Sequence, residues 1–276
     1  MNYGTNRMYH MIRLPLIKKC TPYTGITDFT SYEQVKAMLK VFNAHRPRGS
    51  KRLLHVGVMM SRKTLCGLPT KFADVFPKNK EVASIFQSRK TYNCLHYADS
   101  EYDHFHTLSR NLYNAIMLGG IGMDALQLDL CWPNPADVAG AIHSSRRNPE
   151  VILQIGRKAF DQVDNNPQTL INRLFEYKTF IHRVLLDKSM GEGLGMDAEK
   201  LLPFVGAVSA IFPEMKIVVA GGLGPKTMHL IEPFLKEYPN LSIDAQGKLR
   251  PSGSYLDPID WDMAGEYLAR SFDYLK

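Results

Sequence analysis

Cysteine is scarce in this chain. The four residues Cys20, Cys66, Cys94 and Cys131 include no CxxC pair, which excludes a zinc ribbon. Few, scattered cysteines fit a reducing compartment, and the reading is a cytoplasmic protein. Long hydrophobic runs are also missing. The longest mostly apolar stretch, Phe204 to Phe212, is broken by Gly206 and Ser209, whereas a spanning helix needs roughly twenty residues. The segment Met1 to His10 is polar and aromatic and has no unbroken apolar core of a secretory signal. No Pro- or Ser-rich linker divides the chain. No GxGxxG opens a first helix, and no GxxxxGK[ST] loop occurs. Charge of one sign is not in large excess: 34 Lys and Arg against 27 Asp and Glu leave +7. The basic pairs Lys18-Lys19, Lys51-Arg52 and Arg146-Arg147 are scattered, so they read as solvated faces and not as a nucleic-acid surface.

What is present is ordinary globular composition, 45% apolar and 22% charged over 276 residues. Short apolar runs recur, bounded by Gly, Pro and polar clusters, and read as buried strands. They are Ile12 to Cys20, Leu53 to Met60, Tyr92 to Tyr97, Ala125 to Leu130, Val151 to Ile155, Arg183 to Asp187, Lys216 to Ala220 and Leu241 to Asp244. Helix signals fall between them. Thr30 and Glu33 have capping-box spacing before Val35, Met38, Leu39 and Phe42. Asn134-Pro135 and Asn166-Pro167 each set a capping side chain before a proline. Asp197 and Asp260 precede further apolar stripes, and another stripe follows Pro225.

Parallel neighbours need crossovers, so this alternation predicts a parallel eight-stranded (β/α)8 barrel, with an open doubly wound sheet as the alternative. The expected organisation is one barrel domain over 1–276. It has a polar N-terminal extension of about ten residues and a long loop from Ser61 to Lys78 after the second strand.

In such a barrel the C-terminal strand ends surround the pocket. The candidates there are Cys20, Ser61, Arg62, His96, Asp99, Gln127, Asp129, Cys131, Asp187, Lys188, Asp244, Gln246 and the glycines that follow. Gly221 and Gly222 end the seventh strand, where barrels often cradle phosphate on backbone N–H groups. Gly191, Gly193 and Gly195 follow the sixth strand and read as a flexible connection. Cys20 and Asp187 are a possible base and acid.

These motifs resemble phosphoribosylanthranilate isomerase, the (β/α)8 barrel of tryptophan biosynthesis. That family's first strand carries K-x-C-G-x-T; here Lys18-Lys19-Cys20 is followed, after a four-residue insertion, by Gly25-Ile26-Thr27. Its sixth strand, L-L-D-[ST] with a glycine-rich loop, matches Leu185-Leu186-Asp187-Lys188-Ser189. Its seventh, L-A-G-G-L-x-P, matches Val219-Ala220-Gly221-Gly222-Leu223-Gly224-Pro225. The resemblance implies a cofactor-free aldose–ketose (Amadori) isomerase of a small anionic sugar phosphate. Asp187 would be the acid and Cys20 the base. Gly221, Gly222 and Gly247 would bind phosphate, and Arg62 would meet a substrate carboxylate. Gln127 would contact substrate, as would Asp129, which stands where the family has histidine. The strand-eight serines are absent, leaving Lys248 and Arg250 as the local charges. No metal, nucleic acid or membrane is expected as a partner. Two other readings remain at this point. One is a metal-dependent hydrolase using His55, His96, His104, His106 and Asp129. The other is a barrel that binds a phosphometabolite without catalysis.

Overall fold

The computed structural model describes residues 21–99, 105–187 and 195–275. Eight parallel strands close in sequence order, with the last pairing back to the first. They are β1 (Tyr23–Thr27), β2 (Leu53–Ser61), β3 (Tyr92–Ala98), β4 (Ala125–Asp129), β5 (Glu150–Ile155), β6 (Arg183–Asp187), β7 (Lys216–Ala220) and β8 (Ser242–Ala245). The helices around them are α1 (Tyr32–His45), α2 (Arg62–Leu65), α3 (Val82–Ile85), α4 (Leu108–Gly119), α5 (Pro135–Ser145), α6 (Arg157–Asp161), α7 (Pro167–Leu174), α8 (Ala198–Ile211), α9 (Glu232–Leu235) and α10 (Trp261–Tyr274). The (β/α)8 barrel read from the alternation is the observed fold. No helix among the described residues is long and apolar enough to cross a membrane.

The first strand lies elsewhere than expected. The first barrel strand is Tyr23–Thr27, and the expected run Ile12–Cys20 lies outside the described residues. The segment Tyr-Thr-Gly-Ile-Thr is only half apolar, yet all five residues are buried. Thr27 faces the barrel mouth and Thr24 shares the outward face of Ile26, so neither face of the strand is a continuous apolar run. The cap of α1 is likewise shifted by one residue. Ser31 Oγ accepts from Gln34 N at 3.3 Å, and Gln34 Oε1 accepts from Ser31 N at 3.0 Å. Glu33 instead pairs with Lys36 on the exposed face. Asn134, Asn166, Asp197 and Asp260 all cap as read. The Ser61–Lys78 stretch is not wholly irregular, because Ser61 caps the single turn α2.

Alternation divides each strand between two cores. Outward residues such as Ile26, Val56, Leu126 and Val184 pack under the helices. Inward residues, among them Tyr23, Tyr92, Cys94, Ile152, Leu185 and Val218, fill the barrel. Its floor is unusually polar. Arg183 Nε lies 3.1 Å from Glu150 Oε2, to which the Tyr92 hydroxyl also donates at 2.5 Å. The guanidinium sits 5.3 Å from the Tyr23 ring centre and 4.9 Å from that of Tyr92. These groups plug the end opposite the C-terminal mouth, leaving the mouth open for a site.

Candidate active site

A cavity of about 380 Å³ opens at the C-terminal mouth, a size suited to a small molecule. Thr27, His96, Gln127, Gln154, Asp187 and Asp244 bring side chains to it. The β7 end contributes Gly221 and Gly222, and the segment after β8 contributes Gly247 and Lys248.

Register fixes the two carboxylates. Ala220 of β7 pairs with Asp187 on one side and with Asp244 on the other. Both acids therefore flank the end of β7, roughly 10 Å apart along the sheet by strand spacing. Asp244 is buried. Its Oδ2 accepts from Thr27 Oγ1 at 3.1 Å, and its Oδ1 accepts from the Ala245 N–H at 3.0 Å. Burial raises its pKa to about 7, and Asp187 adds to the rise, against the opposing pull of His96. A carboxyl so placed exchanges protons near neutral pH.

On the opposite wall, Gln127 Nε2 donates to Gln154 Oε1 at 2.8 Å and lies 3.3 Å from His96 Nδ1. Its Oε1 is buried without a partner among the described residues. That leaves an acceptor in a cavity-lining group ready for a ligand hydroxyl or N–H. Asp129, expected to contact substrate, is half-buried and lies outside the cavity lining, with Oδ2 3.7 Å from Nε2 of the lining residue His96. The cavity thus has a histidine despite the carboxylate at Asp129, supplied by the neighbouring strand β3.

Gly221 and Gly222 take φ of +109° and +67°. L side chains rarely adopt these values, so only glycine turns the backbone this way without strain. The Thr227 hydroxyl donates to Gly222 O at 2.7 Å and fixes the turn. Gly224 lets this turn press on the segment after β8, because a Cβ there would come within 2.8 Å of Lys248 Cβ. The helix read after Pro225 is a 3-10 turn, Met228–Ile231, followed by the short α9, so a long helix dipole does not add to the turn.

Two other sequence candidates sit apart from the cavity. Arg62 lies outside its lining, with Nε 3.3 Å from Asp99 Oδ2. Arg250 is buried and turned to Asp28, so the charge it was read to offer a ligand is directed into the wall. Cys20, Lys188, Ser189, Gly191, Gly193 and His104 lie outside the described residues. β1 begins after Cys20, so that residue precedes the strand that it was read to end. Cys131 is half-buried, and burial pushes its thiol pKa up, not down. Among the described residues, the histidines considered as metal ligands do not form a metal-binding group. His106 is exposed, and His55 is fully buried inside the barrel. No group of three metal-ligating side chains occurs among the described residues. His55 and Asp244 as a buried pair were missed by the sequence reading. The available signal was two polar residues inside otherwise apolar strand patterns.

No family model matches this chain, and no curated protein matches it. Solved structures do. Triosephosphate isomerase from Bartonella henselae aligns over 91% of this chain and 99% of its own, with TM-score 0.51 and 8% identity. Orotidine 5'-monophosphate decarboxylase from Methanocaldococcus jannaschii aligns over 92% and 99%, with TM-score 0.47 and 9% identity. The same decarboxylase complexed with the inhibitor BMP gives 93% and 99%, TM-score 0.49 and 10% identity. At 8% identity the likeness to the isomerase is one of fold alone: the chain is a (β/α)8 barrel.

Proposed function

We propose that the cavity is an acid–base site for a small phosphorylated sugar derivative, and that its reaction is an aldose–ketose isomerisation of the Amadori type. The observation that carries this reading is the placement of Asp187 and Asp244 on either side of β7, whose own end is the Gly221–Gly222 turn. A proton donor, a proton acceptor and a backbone anion cradle then share one pocket. In this scheme Asp187 protonates the ring oxygen, and the C1–O bond breaks to give an iminium. A base removes the C2 proton, and its electrons form the C1–C2 double bond of an enaminol. That enaminol tautomerises to the aminoketose. The family resemblance gives the base role to Cys20. Asp244, already in the cavity with a pKa near 7, is the base we assign. Gln127 Oε1, without a partner among the described residues, offers a hydroxyl contact, and Lys248 offers charge to the phosphate.

The test is turnover of phosphoribosylanthranilate, followed by loss of anthranilate-type fluorescence. It runs beside a panel of aldose phosphates assayed by deuterium exchange at C2. Asp187→Asn should lower the rate by about 10²-fold or more, and Asp244→Asn should do the same, with Cys20→Ser assayed alongside. Absence of turnover and exchange across the panel, or full rate in both carboxamide variants, overturns the assignment. Phosphate binding without turnover would indicate the non-catalytic barrel.

A further inference from the structure

His55 enters the barrel interior from β2 directly below Asp244. Its Nδ1 lies 3.8 Å from Asp244 Oδ1, and the two side chains are 0% and 7% exposed. Neither ring nitrogen has a hydrogen-bond partner among the described residues. The ring is clamped by stacking on Tyr23 at 4.5 Å between centroids. A buried imidazole with two idle nitrogens is costly unless one of them serves a neighbour.

Two strand glycines make the space for this pair. A Cβ on Gly25 would lie 2.4 Å from Asp244 Oδ1 and 2.9 Å from His55 Nδ1. A Cβ on Gly57 would lie 2.5 Å from Thr27 Oγ1 and 3.1 Å from His55 Cε1. Gly25 pairs in register with both His55 and Asp244. Glycine weakens a strand interior and commonly marks a close approach. Here the approach is that of Thr27, Asp244 and His55 to one another.

We propose that His55 is the positioning residue of this site, its Nδ1–H directed at Asp244 Oδ1 so that the carboxylate exposed to the cavity is held and favoured in its charged form. At 3.8 Å the contact is longer than a hydrogen bond. A small rotation of the carboxylate closes it when Asp244 ionises, and the contact relaxes when Asp244 is protonated. Burial keeps His55 itself neutral, its pKa pushed down to about 3, with His96 and Arg183 adding to the effect. The contact is therefore a neutral donor facing a carboxylate and not an ion pair. The other titratable groups that face Asp244 are His96, Asp187, Cys94, Tyr23 and Tyr267. Burial is the main influence on Cys94, Tyr23 and Tyr267 and holds them uncharged well above neutral pH. The catalytic consequence rests on the proton-transfer reading of Asp244 given above, whereas the contact does not.

The test uses no substrate, so its failure is separable from failure of that reading. The Asp244 carboxyl is followed by carbon NMR from pH 4 to 9, in wild type and in a His96→Gln background. His55→Phe should raise the Asp244 midpoint by about one pH unit, and His55→Gln, which restores a donor, should bring it back toward wild type. Gly25→Ala, which wedges a methyl between the two groups, should also raise it. Nitrogen NMR of the His55 ring in wild type should show the Nδ1–H tautomer, with shifts that follow the Asp244 titration. That last measurement decides the matter if the variants do not fold. An unchanged Asp244 midpoint in folded His55→Phe, or an Nε2–H tautomer insensitive to the titration, overturns the proposal.

Discussion

Arg183 of β6 and Glu150 of β5 form an ion pair at 3.1 Å in the floor of the barrel, with side chains 1% and 5% exposed. Tyr92 shares the carboxylate, donating to Glu150 at 2.5 Å while accepting from Arg183 Nε at 3.2 Å. Taking such a pair out of water offsets much of its attraction, but removing one member strands the other charge. Glu150→Gln should therefore lower stability by about 3–5 kcal/mol, read as the shift in the urea midpoint. The double change Glu150→Gln with Arg183→Met should recover part of that loss, because no buried charge is left alone. If the double variant is no better than the single one, the stranded-charge account fails.

Asp244 and His55 should give stability opposite pH slopes. The folded pKa of Asp244, about 7, lies above its ordinary 3.8. Its contribution is fully present below about pH 4 and is lost as pH rises through 7. The folded pKa of His55, about 3, lies below its ordinary 6.5. Its contribution is fully present above about pH 6.5 and is lost as pH falls through 3. Between these limits the two nearly cancel in wild type. Asp244→Asn should leave stability rising with pH over that window, and His55→Gln should leave it falling. Each uncancelled slope is at most about 1.4 kcal/mol per pH unit. Urea midpoints from pH 4 to 8 in the three proteins check the signs, and slopes of the same sign in the two variants would sink the idea.

Why Asp187 was legible in the sequence and Asp244 with His55 was not follows from how each is surrounded. Asp187 closes the apolar run of β6 and introduces a glycine-rich stretch, so chain order alone puts it at a strand end. Gly221 and Gly222 announce their turn in the same way. His55 lies inside β2, and its role depends on which of two faces it takes. Its partner lies on β8, adjacent only because the barrel closes through β1. Arg183 and Glu150 were hidden for the same reason: each opens its strand, and only barrel closure shows that both point inward. β1 failed differently, because its inward Thr and Gly residues broke the apolar pattern that identified the other strands.

The Gly221–Gly222 turn should tolerate no side chain. At φ of +109° and +67°, an alanine would sit in a conformation disfavoured by roughly 1–2 kcal/mol. It would also place a methyl on cavity-lining backbone. Gly222→Ala should fold with a modest loss of stability and lose affinity for ribose 5-phosphate, measured by calorimetry. Gly67→Ala is the control. Its φ is +66°, but it lies away from the cavity, so it should show the strain without the loss of binding. Equal affinity in Gly222→Ala and wild type would remove the turn from the anion site.

The segment after β8 owes its position to a buried lock at the end of β1. Asp28 holds φ of +90°, a strained value for a residue other than glycine. Its Oδ2 accepts from Arg250 Nη2 and, at 2.8 Å, from Gln246 Nε2. Arg250 Nη1 in turn donates to Gln246 O at 2.8 Å. Gln246, Gly247 and Lys248 are thereby held against the cavity they line. Asp28→Asn removes the charge while keeping an acceptor, and should lower stability by about 3 kcal/mol, because Arg250 stays buried without its counter-charge. It should also weaken phosphate binding, although Asp28 does not line the cavity. Lys248→Ala should instead leave stability within about 0.5 kcal/mol. It should raise KM for a phosphorylated substrate with little change in kcat, the pattern of a group that binds the anion equally in ground and transition states. A kcat loss in Lys248→Ala as large as that in Asp187→Asn would place the lysine in the proton-transfer step and not in anion binding.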